Sequence, residues 1–243
     1  MHIIKLNAID STNSYLRQLS NTNALEDYTT VVTNYQTNGR GQMGTQWSSQ
    51  EAKNLMVSVY KDVSFVNIES HFFISIVVSL SILEALQRLH IPKLSIKWPN
   101  DILSENKKIG GILIENVIKH NHMQNSIIGF GLNINQTLFD DLPNASSLRL
   151  ITGKVFNLDE VLLEILDRLR FNFKKLKQHN LKALKMSYEH YLFRKNKPST
   201  FQDVEGVMFS GFIIGVTKSG NLQIEMEDRI IKEFNLKEVS LLY

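Results

Sequence analysis

The sequence predicts an α+β fold: a mixed, largely antiparallel sheet packed with helices, followed by a small C-terminal β-barrel. Three observations carry this. β-Branched, apolar segments recur at hairpin spacing between residues 94 and 135. Two amphipathic helical patterns follow each other from Asp159 to Phe193. From Thr200 on, only short strand-like runs remain, separated by turns at Gly206, Gly211, Gly215 and Gly220. The expected division is therefore residues 1–195 and 196–243.

Composition narrows the classes. Of 243 residues, 43% are hydrophobic and 21% charged, so the chain can bury a substantial core. A net charge of +3 is too small to argue for a nucleic-acid partner. With no cysteine, disulfides, thiolate catalysis and cysteine-ligated metals are excluded. The start, MHIIKLNAIDSTN, lacks the basic and apolar regions of a secretory signal. The most apolar run, Phe72 to Leu83, falls short of the roughly 20 residues that span a bilayer. A cytoplasmic protein with no membrane partner is expected.

Taken in order, His2 to Ile9 alternates as a strand. Asp10, Ser11, Thr12 and Asn13 are all helix-capping types, so a helix begins there. Tyr28 to Gln36 and Asn54 to Tyr60 are strands rich in β-branched and aromatic residues. Asn67 to His90 is apolar almost all round, which implies a helix buried on most sides. LSIKWPNDIL reads as strand, turn, strand, because Pro99 cannot donate to a ladder and Asn100-Asp101 suits a turn. ENKK is the next turn. IGGILIENVIK and SIIGFGLNIN are strands joined by the polar HNHMQN. Asp159 to Gln178 and Leu181 to Phe193 are helices whose lysines and arginines form a solvated outer face.

Four stretches invite chemistry. TNGRGQMGTQW, Thr37 to Trp47, holds three of the 12 glycines around Arg40 in a G-x-G-x-x-G pattern. A dinucleotide-binding turn needs a helix directly after the third glycine. Here TQWSSQEAK leads into a strand, so that reading fails, although Asp62 lies near the offset of a ribose-binding acid. KWPND sets Lys97 before a rigid turn, and KKIGGILIE sets Lys108 before Gly110-Gly111. GFGLN alternates Gly129 and Gly131 along a strand and ends at Asn133. Each stretch also has a plain structural reading: an edge lysine, a bulge, or room for a bulky neighbour. Glycine inside a strand equally marks close approach of a ligand. Together, Gly111, Gly129 and Gly131 make a floor for a flat ligand, with Arg40, Lys97 and Lys108 around it. There is no G-x-S-x-G or H-E-x-x-H motif, and His120 and His122 sit in a polar turn where no metal is expected.

In this order, DSTN, YQTNGRGQMGTQWSS, KWPNDIL, KKIGGILIE and GFGLNIN resemble the signature blocks of the biotin protein ligases, with a weaker match at NASSL. The resemblance spans about residues 8–150, and the C-terminal β segment suits that family's SH3-like domain. It implies that biotin and ATP, with Mg²⁺, give biotinyl-5′-AMP and pyrophosphate. A lysine of a biotin carboxyl carrier protein, or carrier domain of a biotin-dependent carboxylase, then takes the biotin. By resemblance, Ser11, Thr12, Asn13 and Gln36 meet the ureido ring, with Gly41, Gln42 and Gly111 also around biotin. Arg40 and Lys108 hold the carboxylate and then the adenylate phosphate. Lys97 and Asn100 meet the nucleotide phosphates or ribose, Asn133 pairs with adenine and Trp47 covers it. Arg40, Lys97 and Lys108 form the catalytic set, with no metal ligand from the protein. Their convergence has a physical reason: two like charges at 4 Å repel by about 4 kcal/mol at an effective dielectric of 20, and cations offset this where charge builds up. The glycine loop is then a lid over the adenylate.

The loop departs from the family pattern G-R-G-R-x-G-R: Gln42 and Thr45 stand at the later arginine positions, which implies weaker retention of the adenylate. About nine residues precede DSTN, so no winged helix and no operator binding are expected. Rival readings are a lipoate–protein ligase or octanoyltransferase, and a non-catalytic module that binds a small acid or a carrier protein. KWPND favours biotin, and retention of all three cations favours an enzyme. A monomer and a homodimer are both compatible.

Overall fold

Alternation along the strands divides the larger sheet into an apolar face and a polar, glycine-rich face. The computed structural model describes residues 2–140 and 142–243, and Met43 by its backbone alone. Seven strands form this sheet: β1 (Ile3–Ile9), β2 (Thr30–Gln36), β3 (Leu55–Asp62), β4 (Leu94–Lys97), β5 (Asp101–Ser104), β6 (Lys107–Lys119) and β7 (His122–Leu132). Their order is β1-β2-β3-β7-β6-β5-β4, and only β1 and β2 run parallel. Helix α1 (Thr12–Thr22) makes the crossover that a parallel pair requires. The sheet is thus mixed and largely antiparallel, as the hairpin spacing predicts.

On the apolar face, Val57 and Val59 of β3, Ile112 and Ile114 of β6, and Ile128, Phe130 and Leu132 of β7 join one core with α2 (Phe72–Arg88) and α4 (Leu158–Lys177). On the other face, α1 covers one end by packing Leu16 on Val31 and Ile127. The rest of that face is left open.

Helix α2 is apolar all round because it is surrounded. Ile74, Val77, Val78, Ile82, Leu83 and Leu86 are all fully buried. With the 3-10 turn before it, the run Ile68–Arg88 has the length and composition to cross a bilayer, longer than the apolar run read from sequence. Its burial inside the fold accounts for that apolarity. Helix α4 is less of an outer face than its charges imply: Val161, Leu162, Ile165, Leu166 and Leu169 are buried, while Lys174, Lys175 and Lys177 fall in its last turn, where they oppose the helix dipole.

Two further departures are local. HNHMQN is not a loop. Strands β6 and β7 continue to a two-residue turn at His120-Asn121, both with positive φ (48° and 62°), the backbone that suits the twist of a tight hairpin. A short helix α3 (Leu148–Thr152), too brief to show periodicity, is capped by Ser147 Oγ, which accepts from Leu150 N at 3.1 Å.

Helix α5 (Leu181–His190) leads to the smaller sheet: β8 (Pro198–Asp203), β9 (Met208–Val216), β10 (Leu222–Met226), β11 (Ile231–Phe234) and β12 (Val239–Leu242), antiparallel throughout in the order β11-β10-β9-β8-β12. It is fixed to the rest of the fold at named points. Trp98 Nε1 donates to Gly220 O at 2.9 Å, and Val216 N donates to Glu189 Oε1 at 3.1 Å. Phe201, Ile213 and Leu222 belong to the same buried cluster as α2.

The centre of α2 has no room to rearrange. Leu83→Ala is expected to lower the unfolding free energy by about 2–5 kcal/mol, read by urea denaturation with the far-UV spectrum of the folded state unchanged.

Candidate active site

Two rows of residues cross the open face of the larger sheet. One runs Ser58–Gly129–Leu113 across β3, β7 and β6. The next runs Met56–Gly131–Gly111–Asp101–Lys97 across five strands. Each glycine on β7 leaves a gap that another residue fills. A Cβ on Gly129 would lie 2.3 Å from Asn13 Oδ1, and a Cβ on Gly131 would lie 2.5 Å from Trp47 Cε2. The flat group on the glycine floor is therefore the indole of Trp47, where the sequence had pointed to a flat ligand. Its Nε1 is buried with no hydrogen-bond partner among the described residues.

A register shift between Ile102 and Leu103 sets Lys108 opposite Leu103, and Gly110 opposite Ile102. The extra residue returns Lys108 to the face of Asp101 and Gly111, as bulges commonly re-aim side chains. Lys108 Nζ then lies 2.6 Å from Asp101 Oδ1 and 5.9 Å from the centre of the Trp47 ring. Lys97 Nζ lies 4.4 Å from the centre of the Tyr243 ring. Burial holds Lys97 below the ordinary lysine pKa of 10.5; the neighbouring cation Lys108 pushes the same way and Asp101 opposes. A depressed native pKa penalises folding fully while both states are charged. That penalty is relieved as pH rises from the native pKa of Lys97 towards 10.5. Arg40 Nη2 lies 2.9 Å from Glu115 Oε2.

Twelve of the thirteen residues to which the resemblance gave a binding or catalytic role line one cavity of about 460 Å³. Its charged part contains Arg40, Lys97 and Lys108. Its uncharged part contains Ser11, Thr12, Asn13 and Gln36. There Thr12 N donates to Gln36 Oε1 at 2.9 Å. Ser11 stands at the N-cap of α1, yet its side chain makes no capping bond, so capping is not what that hydroxyl does. Asn133 is the exception. It is buried outside the cavity, where its Nδ2 donates to Ser146 O at 3.0 Å and tethers the segment before α3. Asn100 lines the cavity, but its Nδ2 is committed to Ile112 O at 2.8 Å, which fixes the turn after Pro99.

The glycine loop folds on itself as a small hairpin. Gly41 N donates to Thr45 O at 2.6 Å, and Trp47 N donates to Gly39 O at 2.9 Å. Gly44 has φ +84°, which favours glycine. No helix follows it, only strand β3, so the dinucleotide-binding turn is absent. The backbone carbonyl of Gln42 accepts from Thr45 Oγ1 at 2.9 Å, so the Thr45 hydroxyl knits the loop locally.

Four residues had not been singled out. Asp101 and Glu115 stand at the ends of KWPND and KKIGGILIE, where their acidity beside the lysines was the available signal. Ser58 and Tyr243 had no signal, because only strand pairing and the approach of the smaller sheet bring them here. Phe201, Val239 and Leu241 of that sheet also line the cavity.

Residues 6–133 match the family model described as the biotin/lipoate A/B protein ligase family. The chain is 28% identical over 239 residues to the bifunctional ligase/repressor BirA of Bacillus subtilis, covering 96% of this chain and 72% of that protein. It is 30% identical over 141 residues to the biotin–[acetyl-CoA-carboxylase] ligase of Mycobacterium tuberculosis, covering 57% of this chain and 51% of that one. Its fold superposes on the biotin protein ligase of Aquifex aeolicus in complex with biotin and ATP with a TM-score of 0.82, at 30% identity and with 99% and 98% of the two chains covered.

Two outcomes test this geometry. In a Trp98→Phe background, Gly131→Ala is expected to push the Trp47 indole off the sheet and red-shift its fluorescence. Lys108→Met removes a cation that adds to burial in depressing Lys97 and frees Asp101 from its ion pair, so the Lys97 side-chain titration followed by NMR is expected to move up.

Proposed function

This chain belongs to the biotin/lipoate A/B protein ligase family, and we infer that it is an ATP-dependent biotin protein ligase. A carboxylate oxygen of biotin attacks the α-phosphorus of ATP. The bond to the bridging oxygen breaks, pyrophosphate leaves and biotinyl-5′-AMP remains. The amine of a carrier lysine then attacks the acyl carbon, AMP departs with the electron pair and the amine gives up a proton. Mg²⁺ enters as part of the MgATP substrate, held by phosphate oxygens and water. The acceptor this reading calls for is a biotin carrier protein or carrier domain of a biotin-dependent carboxylase.

The observation that carries the reading is a single cavity lined both by three cations, Arg40, Lys97 and Lys108, and by the uncharged hydrogen-bonding residues Ser11, Thr12, Asn13 and Gln36. A cyclic urea with a carboxylate tail needs both. A dithiolane ring has neither N–H nor C=O to match Ser11, Thr12 and Gln36, which favours biotin over lipoate. We assign Arg40 and Lys108 to the carboxylate and then the adenylate phosphate, Lys97 to the nucleotide phosphates, and Ser11, Thr12 and Gln36 to the ureido ring. Lys108 is paired with Asp101, and Arg40 with Glu115, so each cation sits in place before an anion arrives. This ordering lowers the reorganisation that accompanies charge build-up.

Pyrophosphate–ATP exchange with the purified protein tests this. Exchange is expected with biotin and not with lipoate. Lys108→Ala is expected to lower it by about 10- to 100-fold, the equivalent of one charge-assisted hydrogen bond. Exchange with lipoate alone would overturn the substrate, and no exchange with either acid would overturn the reaction. Gln42→Arg is expected to slow release of biotinyl-5′-AMP, read by filter retention of labelled adenylate.

A further inference from the structure

By strict alternation from Gly111 and Leu113, Ile109 would face the cavity and Lys108 the core. The register shift between Ile102 and Leu103 reverses this: Ile109 is buried in the core cluster that contains α2, and Lys108 reaches Asp101. A bulge leaves one residue of its strand without a ladder partner, so another group has to hold the backbone here. On the side away from β5, strand β7 cannot do so, because its pairing with β6 stops at Leu132, opposite Gly110.

The segment before α3 takes that place. Ala145 lies beside Lys108 in a parallel bridge. Lys108 N donates to Asn144 O at 2.7 Å, and Lys108 O accepts from Ser146 N at 2.9 Å. Asn133 ties this segment to β6. Its N donates at 2.8 Å to the carbonyl of Ile109, the residue next to Lys108, and its O accepts from Leu148 N at 3.0 Å. Its Nδ2 donates to Ser146 O at 3.0 Å. Ser146 thus gives its N–H to Lys108 and receives the Asn133 carboxamide on its carbonyl. Asn133 and Ser146 are both buried, so water is a poor substitute for that carboxamide. Further along the segment, Pro143 O accepts from Lys107 Nζ at 2.8 Å.

We propose that Asn133 is a positioning residue for Lys108. Its carboxamide fixes the Ser146 backbone, and that backbone fixes the bulged register of Lys108. The register in turn decides whether the ammonium faces the cavity or the core. The proposal rests on the ligase reading above, in which Lys108 meets the carboxylate and then the adenylate phosphate, and deepens it by naming what aims that cation. Asn133 touches no ligand in this role, in keeping with its place outside the cavity lining. Without the carboxamide, the buried Ser146 carbonyl loses this donor, which is costly. The segment then loosens, and the Lys108 ammonium is no longer held at one point.

Two measurements separate this role from a direct contact with the nucleotide. Hydrogen–deuterium exchange reads the backbone without any substrate. In Asn133→Ala the amides of Lys108 and Ser146 are expected to exchange about 10-fold faster or more, the scale of one hydrogen bond lost in a buried setting, while those at the centre of β7 keep their rates. Pyrophosphate–ATP exchange reads the consequence. Asn133→Ala is expected to lower kcat about 10-fold, as misplacing a reacting group does, and to change the KM for MgATP by less than about threefold. In a Lys108→Ala background the same substitution is expected to lower kcat by less than about twofold, because the group it positions is gone. Lys107→Met loosens the segment from Pro143 and carries the same paired readings should Asn133→Ala not fold. Unchanged amide exchange in the folded variants overturns the proposal. So does a loss of activity of equal size with and without Lys108, which would put Asn133 on the nucleotide. A wild-type protein with no biotin-dependent pyrophosphate exchange overturns the underlying functional reading instead, and the amide rates still test the linkage from Asn133 to Lys108.

Discussion

The site depends on the two-residue period of β3, β6 and β7. On each strand, one set of side chains is committed to the core under α2, so the intervening set is held at fixed spacing on the opposite face. Val57, Ile112 and Phe130 are buried together. Ser58, Leu113 and Gly129 are placed by the same constraint. A slip of one residue in any pairing would exchange the two sets, which is why burial of one face fixes register so firmly. The precision of the polar face is a by-product of the packing of the apolar one.

Glycine turns that regular surface into a site. With no side chain at Gly129 and Gly131, groups from distant parts of the chain can lie directly against the backbone: Asn13 from α1 and Trp47 from the loop. The register shift in β5–β6 then brings Lys108 to the same face as Asp101. Regular pairing supplies the grid, and missing side chains and one extra residue supply the exceptions. The ion pairs Lys108–Asp101 and Arg40–Glu115 keep the cations in place in a partly buried setting, where an unpaired charge would be costly.

The smaller sheet extends the cavity wall rather than standing apart from it. The ring of Tyr243 lies over Lys97, and Trp98 bonds the backbone of Gly220. The desolvation that depresses Lys97 and raises the Tyr243 phenol is felt where the two sheets approach each other. The surroundings of Lys97 are thereby drier than a single sheet face would make them, which strengthens a charge interaction formed there.

Much of this was legible in the sequence. Period two gave the strands, all-round apolarity gave the buried α2, and capping residues gave the start of α1. The motif blocks named twelve residues that do line the cavity. These are local signals, since each depends on a few neighbouring residues and the backbone geometry they favour. The sequence could not assign Asn133, whose carboxamide looks equally suited to a base or to a backbone carbonyl until the chain near Ser146 is seen beside it. Nor could it place the indole of Trp47 on Gly131, or the ring of Tyr243 over Lys97. Ser58 is an unremarkable strand residue until pairing sets it beside Asn13 and Thr12. Residue types and short-range pattern determined which chemistry the chain carries. Which donor meets which acceptor was decided by contacts between residues far apart in sequence, and those exist only once the core has fixed the register of the sheet.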